Sequence, residues 1–246
     1  EDFINKEPNS KKYIRQFVGA EEFLNNKKRY CLWLKDANLL DVSKMPLVME
    51  RIKAVKNLRL SSNRAGTKKK AETPMLFGEI RQPDSNYLLV PRHSSEKRKY
   101  IPIGFMDKDI IVGDSNQIIP NATLYEFGIL TSIVHNAWMR VVAGRLESRY
   151  RYSKDIVYNN FPWPPSMDNG QLTIDNAAKK ILDIREKYLS QGASLATLYG
   201  ENLDLLFTDL AEAHRELDEI VLGLYGLGKD ASEAEMGSAK DLKKYV

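Results

Sequence analysis

Residues 144–153, GRLESRYRYS, have the types and spacing best suited to a chemical task. If the second half of this segment is extended, Glu147, Arg149 and Arg151 project to one side, because side chains alternate along a strand. Three charged side chains in a row are poor core residues, but they suit a DNA groove. Arginine offers paired donors to guanine O6 and N7, and glutamate can accept from cytosine N4. The alternative is an exposed strand on which the glutamate and the arginines pair with one another. The residues expected to face the interior are Ser148, Tyr150 and Tyr152.

A second group of residues has the composition of a phosphate-binding surface. Residues 44–70 contain many lysines and arginines and a single acid, Glu50. Small hydroxyl and amide side chains lie among these cations, a mixture typical of phosphate contacts. The alternative is a solvated helix face followed by a mobile loop. The predicted phosphate contacts are Lys53, Lys56, Arg59, Ser61, Ser62, Asn63, Arg64, Lys68, Lys69 and Lys70.

Charge is distributed unevenly along the 246 residues. Residues 1–164 hold 28 Lys and Arg against 18 Asp and Glu, whereas residues 165–246 hold 9 against 15, which gives net charges of +10 and −6. A basic body with an acidic tail is expected when only the body meets a polyanion.

Familiar catalytic motifs are absent from the sequence. It has no Gly-rich phosphate or dinucleotide loop, and no Asn/Asp-Pro-Pro-aromatic run of the kind that amino-methyltransferases use. Its histidines, His93, His135 and His214, are far apart and lack metal-site spacing, and Cys31 is its one cysteine. Because His135 and His214 lie in apolar helical stretches, we predict that they are structural.

One nuclease-like pattern gives an alternative from the enzyme class. Asp84, followed by Glu96 and Lys97, is similar to a PD-(D/E)xK site, in which two acids hold Mg²⁺ and a lysine orients the attacking water. Arg98 stands at the last position of the pattern, and SSEKRK is typical of a charged turn. We therefore favour a non-catalytic chain.

The elements that must position these residues are short strands and helices. One helix is predicted after Ser43 as N-cap, with Pro46 in its first turn. Another is predicted over residues 123–143, where Thr123 begins a capping box and Gly144 follows the last turn. The β-rich runs, each bounded by turn residues, are 29–34, 87–92, 99–105 and 109–113.

The proline-rich run NNFPWPPSMDNG, residues 159–170, separates this region from a helical one, since proline fixes φ and lacks a backbone donor. The sequence predicts an α+β fold. Residues 1–164 would form a mixed or antiparallel β-rich recognition domain with core helices, and residues 165–246 a small all-α domain. No apolar run is long enough to cross a bilayer. The single cysteine favours a reducing cytoplasm, and the missing initiator Met suggests an excised fragment.

The sequence also resembles a known family. The strings KKYIRQFVGAEEF, RYCLWL, GRLESRYRYS and IVYNNFPWP, in this order, are similar to the MmeI-type (Type IIL) single-chain restriction–modification proteins. SLATLYG and AHRELDEIVLGLYG resemble the end of those proteins, so the resemblance covers nearly all of the chain. In the family, a nuclease domain, an adenine-N6 methyltransferase domain, a target-recognition domain and a C-terminal helical domain share one chain.

The resemblance implies a bacterial or archaeal module that binds double-stranded DNA beside the methyltransferase and nuclease domains of a parent chain. The parent would use S-adenosylmethionine and Mg²⁺, whereas this part would hold no cofactor. By resemblance, Glu147 and Arg149 select one base pair, a C·G pair in one orientation. Arg151, with Ser115 and Asp114 nearby, selects another. Two rival interpretations remain: a specificity subunit of a multi-subunit restriction system, and a basic domain that binds an acidic protein.

Overall fold

Helices and short strands are mixed along the chain, so the predicted α+β class is confirmed. The computed structural model describes residues 2–164 and 168–238. The helices are α1 (Asp2–Lys6), α2 (Ala20–Asn25), α3 (Leu39–Val42), α4 (Pro46–Leu60), α5 (Ala65–Lys69), α6 (Leu124–Thr131), α7 (Ile133–Val142), α8 (Asp168–Ser190), α9 (Leu195–Leu198), α10 (Leu203–Leu206), α11 (Thr208–Leu224) and α12 (Glu233–Met236). The strands are β1 (Ile14–Val18), β2 (Tyr30–Leu32), β3 (Tyr87–Pro91), β4 (His93–Ser94), β5 (Gly104–Met106), β6 (Ile111–Val112), β7 (Asn116–Pro120), β8 (Gly144–Leu146) and β9 (Arg149–Arg151).

The described residues form two compact units, which differ from the two domains predicted from the sequence. The first unit comprises residues 2–17, 28–82 and 109–112. The second comprises residues 18–27, 83–108, 113–164 and 168–238, so it includes both the core helices and the helical tail. The predicted boundary residue, Pro165, and the end of the tail lie outside the described residues. The division at 164/165 therefore stays a prediction.

Helix α4 is the longest helix of the first unit and carries Arg51, Lys53, Lys56 and Arg59. Its N-terminus is capped from a distance: the buried Glu7 carboxylate accepts from the backbone N of Leu47 at 3.0 Å and of Val48 at 2.9 Å. Ser43 instead ends α3, so its predicted role as the N-cap of α4 is wrong, whereas Pro46 does occupy the first turn. Val48 then packs with Met45 in the core of this unit.

The second unit is built on a sheet in which β3 pairs antiparallel with β5 and β7. Residues 87–90 of β3 are buried, as expected for the central strand of a covered sheet. The predicted strand over residues 99–105 is mostly irregular, and only its end enters β5.

The helix predicted over residues 123–143 is two helices. Thr123 begins α6 with the predicted capping box. At Ser132 the backbone becomes extended (ψ 161°), and its hydroxyl caps the new helix α7 by accepting from the N of His135. Gly144 does not end α7 in the left-handed conformation; it begins β8.

The helical tail packs against these core helices within the second unit. Lys180 pairs with Glu216 and Lys187 with Asp209, which shows that α8 and α11 run antiparallel. Helix α6 approaches α8 so closely that a Cβ on Gly128 would lie 2.5 Å from Ile174 Cγ2. None of the described helices is long and apolar enough to cross a bilayer.

Candidate nucleic-acid interface

A β-hairpin presents the residues predicted to read bases. Strands β8 and β9 pair antiparallel, with Leu146 opposite Arg149 and Gly144 opposite Arg151. Side chains alternate on β9: Arg149 and Arg151 are exposed, whereas Tyr150 between them is buried. The predicted shared exposure of the two arginines is confirmed, as is the burial of Tyr152.

Glu147 is placed differently from the prediction. It does not extend β9 but forms, with Ser148, the two-residue turn of the hairpin. Its φ is +56°, a left-handed conformation that costs a residue with a side chain about 1–2 kcal/mol. Ser148 is likewise exposed in the turn and does not face the interior.

The turn nevertheless brings glutamate and arginine together. Arg149 Nη2 donates to Glu147 Oε2 at 2.7 Å, and both side chains are at least half exposed. A pair this exposed contributes little to stability, about 0–1 kcal/mol. Glu147 is therefore a residue in a strained conformation whose one ion pair contributes little to stability.

The hairpin is held by contacts within its own strands and by a buried hydrogen bond to a core helix. Arg145 Nη1 donates to the Ser148 carbonyl at 3.0 Å, and its guanidinium lies 4.0 Å from the Tyr150 ring centroid. Next in the chain, the Tyr152 hydroxyl bonds His135 Nε2 on α7 at 2.9 Å. Arg145 therefore holds the turn from within the hairpin, and Tyr152 connects the end of β9 to the buried helix α7.

Ser115 and Asp114 lie in the turn before β7, and Ser115 is connected to the far end of β9 through Arg92. The Arg92 backbone N donates to the Ser115 carbonyl at 2.9 Å, and the Arg92 carbonyl accepts from Tyr152 N at 2.7 Å. The Ser115 hydroxyl accepts from Ala20 N at 2.8 Å, so it already has a structural use. Asp114 is exposed. The sequence interpretation missed Arg92, whose position between two strands shows only in the hydrogen bonds.

The predicted phosphate contacts belong to the first unit. Arg64, Lys53, Lys56, Lys68 and Lys69 are exposed on α4, α5 and the loop between these helices, and within the described part of the chain they form no ion pair. Asn63 is also exposed, whereas Lys70 is half-buried.

Three members of that predicted set have structural hydrogen bonds. The Arg59 guanidinium donates to the carbonyls of Lys70 at 2.8 Å, Thr73 at 2.9 Å and Leu76 at 2.7 Å, and so fixes the segment after α5. The hydroxyl of Ser61 donates to a helix carbonyl, and that of Ser62 accepts from a backbone N of the next turn. Arg59 thus has a structural role. Its position among many basic residues did not distinguish it from cations that could bind phosphate.

His135 and His214 are structural, as predicted. Both are buried, and His214 Nε2 bonds the Tyr199 hydroxyl at 2.9 Å, as His135 Nε2 bonds Tyr152. Burial lowers the pKa of each imidazole to about 3, so both are neutral at pH 7.

The nuclease-like pattern gains no support from the geometry. Asp84 and Glu96 are both exposed. A hydrogen bond from its own backbone N is the main cause that lowers the pKa of Glu96. Across the described ranges, no group of three or more His, Cys, Asp or Glu side chains could hold a metal ion.

The comparisons with known proteins identify the family. Residues 1–165 match the family model described as MmeI, target recognition domain, and residues 166–238 match MmeI, C-terminal domain. The chain belongs to the MmeI target-recognition family. The predicted resemblance is thereby confirmed.

Two relatives support the MmeI assignment. DNA methyltransferase A of Bacillus subtilis (strain 168) is 40% identical over 234 residues, which are 95% of this chain and 26% of the relative. The solved structure of the Type IIL restriction-modification enzyme MmeI in complex with DNA is 43% identical, with a TM-score of 0.92. That match covers 99% of this chain and 33% of the solved chain. The chain thus spans between a quarter and a third of the length of these relatives.

Proposed function

We propose that this chain is the DNA-reading module of a longer restriction–modification protein. The observation that carries the proposal is the β8–β9 hairpin, which holds Glu147, Arg149 and Arg151 exposed on a rigid support. The match to the MmeI–DNA complex over nearly the whole chain supports the same partner, double-stranded DNA.

Within this module, Glu147 and Arg149 act as a unit that selects one base pair. A guanidinium can donate to guanine O6 and N7, while a carboxylate can accept from the N4 of the paired cytosine. The 2.7 Å contact between the two side chains keeps them close enough to reach one base pair together. Arg151 reads another base pair, with Asp114 as the exposed polar group of the adjoining loop. Ser115 contributes through its position in that loop, since its hydroxyl already accepts a hydrogen bond from Ala20 N.

The basic side chains of the first unit supply sequence-independent affinity. Neutralising phosphates releases counterions, so the affinity falls as salt rises. We assign this role to the exposed cations, the half-buried Lys70 and the neighbouring amide, and not to Arg59 or the two serines with structural hydrogen bonds. The assigned residues are Lys53, Lys56, Asn63, Arg64, Lys68, Lys69 and Lys70.

Catalysis belongs, in this proposal, to other domains of the parent, which acts in the cytoplasm. A methyltransferase domain with S-adenosylmethionine would modify an adenine that is turned out of the stack, and a nuclease domain with Mg²⁺ would cut. The missing motifs in the sequence and the lack of a metal-ligand cluster in the described residues support a non-catalytic role for this chain.

Selection of bound duplexes from a randomised pool, as a function of salt, tests the proposal. We expect one enriched site, and a logarithm of affinity that falls linearly with the logarithm of salt concentration. Absence of duplex binding even at low salt would overturn the proposal in favour of an acidic protein partner. Magnesium-dependent cutting that Asp84→Ala abolishes would favour the nuclease instead. Enrichment of two separated half-sites would indicate a specificity subunit with two recognition domains.

A further inference from the structure

His93 shares the exposed face of the hairpin sheet with the reading arginines. Strand β4 extends this sheet, which has the order β4–β9–β8. His93 lies directly opposite Arg151, and Ser94 opposite Tyr150. Residues opposite each other on antiparallel strands point to the same side of the sheet. Burial agrees with this register, since Ser94 and Tyr150 are buried. His93 therefore stands beside Arg151 on the outer face.

The other side of Arg151 carries no side chain. Its partner on β8 is Gly144, and a Cβ added there would meet nothing within 4 Å. The one cross-strand side chain adjacent to Arg151 is therefore that of His93. Any surface that Arg151 contacts is presented to His93 as well.

The imidazole of His93 has no structural partner. In residues 2–164 and 168–238, neither ring nitrogen of His93 has a hydrogen bond. Its charged neighbours are cations: Arg151, Arg149 and Arg92. Burial and then these positive charges lower the pKa of His93 below its ordinary value of about 6.5. At neutral pH the ring is uncharged, so it offers one donor and one acceptor.

This chemistry fits a base edge better than a phosphate. A phosphate binds best to a cation, whereas the three arginines beside His93 disfavour the protonated, positively charged form of its imidazole. A base edge in the major groove presents donors and acceptors that one neutral imidazole can match. Neighbouring strands lie about 4.8 Å apart. A side chain on β4 is therefore close enough to one on β9 to reach the same stretch of a groove.

We propose that His93 reads a base edge in the major groove, close to the base pair that Arg151 contacts. This inference rests on the proposed DNA-reading function. It adds a recognition position to those of Glu147, Arg149 and Arg151.

The test is binding of the full-length protein to duplexes in which each base pair of its selected site is changed in turn. His93→Ala should reduce discrimination at one position by about 3- to 10-fold, the value of one hydrogen bond, and leave the other positions unchanged. His93→Asn, which keeps a neutral donor and acceptor, should retain a preference there, for the same or another base. Lys97→Ala is the matched control: Lys97 is exposed nearby and pairs with Glu201, so no position should change.

Two results would overturn the inference. One is an unchanged preference at every position in both His93 variants. The other is uniform weakening of all duplexes with a smaller salt slope, which marks a phosphate contact. Since the ring nitrogens of His93 bond to none of the described residues, both variants should keep the unfolding midpoint of the parent. If the unsubstituted protein selected no site, the proposed function itself would fail, which distinguishes the two failures.

Discussion

The backbone conformation of Glu147 allows its role in reading DNA to be separated from any role in folding. Glycine adopts φ +56° without strain, so Glu147→Gly relieves about 1–2 kcal/mol. Glu147→Ala keeps the Cβ and therefore the strain. Both variants lose the same exposed pair with Arg149, which contributes about 0–1 kcal/mol. Glycine also adds about 0.5–1 kcal/mol of chain entropy to the unfolded state. The glycine variant should therefore be more stable than the alanine variant by about 1 kcal/mol.

The two variants should behave alike towards DNA, because both lack the carboxylate. Loss of a good base contact removes about 1–3 kcal/mol of discrimination, or about 5- to 150-fold in relative affinity at one base pair. Urea unfolding and competition binding with base-substituted duplexes measure the two effects. A glycine variant less stable than the alanine variant would refute the strained turn. Discrimination retained in either variant would refute the reading role of Glu147.

Two further predictions concern phosphate binding and pH. Changing Lys68, Lys69 and Lys70 to Gln should weaken the binding of all duplexes and reduce the salt slope of the affinity by about 0.9 for each lost phosphate contact. The same changes at Lys179, Lys180 and Lys187 of the helical tail should leave both the affinity and the slope unchanged. Equal effects of the two sets of changes would contradict the phosphate-binding role of residues 68–70. Because His135 and His214 titrate near pH 3 when folded and near 6.5 when unfolded, stability should fall as pH drops below 6.5, by about 2 kcal/mol per histidine at pH 5. Asp218 acts in the opposite direction: burial raises its pKa from 3.8 to about 6, so its contribution to stability is full below pH 3.8 and is lost as pH rises through about 6. Urea unfolding at pH 7 and pH 5 measures how much the free energy of unfolding decreases between these pH values. His214→Gln should make that decrease smaller by about 2 kcal/mol, and an unchanged decrease would contradict a neutral His214 in the folded protein.

The alternation of side chains in GRLESRYRYS predicted the exposed arginines of β9 and the burial of Tyr150 and Tyr152, because period two follows from strand geometry alone. It did not predict the turn at Glu147, since glutamate is not a residue that favours positive φ. The break between α6 and α7 at Ser132 was not predicted, because the sequence around it is continuously apolar. In such a run the helical spacing does not indicate where one helix ends and the next begins. The capping of α4 by Glu7 joins residues about 40 positions apart, which no local pattern can reveal.

The candidate functional residues were also only partly predictable from the sequence. Cations clustered between residues 44 and 70 are evident in the sequence, but composition cannot separate exposed Lys53 from Arg59, whose donors meet three carbonyls. His93 could not be assigned to the reading face, because its neighbour Arg151 is 58 positions away and only the strand register joins them.

In the proposed function, Glu147 and Arg149 select one base pair as a unit. Its most direct test is the double exchange Glu147→Lys with Arg149→Asp in the full-length protein, followed by selection of bound duplexes from a randomised pool. A lysine donor and an aspartate acceptor reverse the order of donor and acceptor on the hairpin. We expect the preferred base pair to change at one position while the preference at every other position is kept. Uniform weakening across all sequences, with the same preferred site, would contradict it.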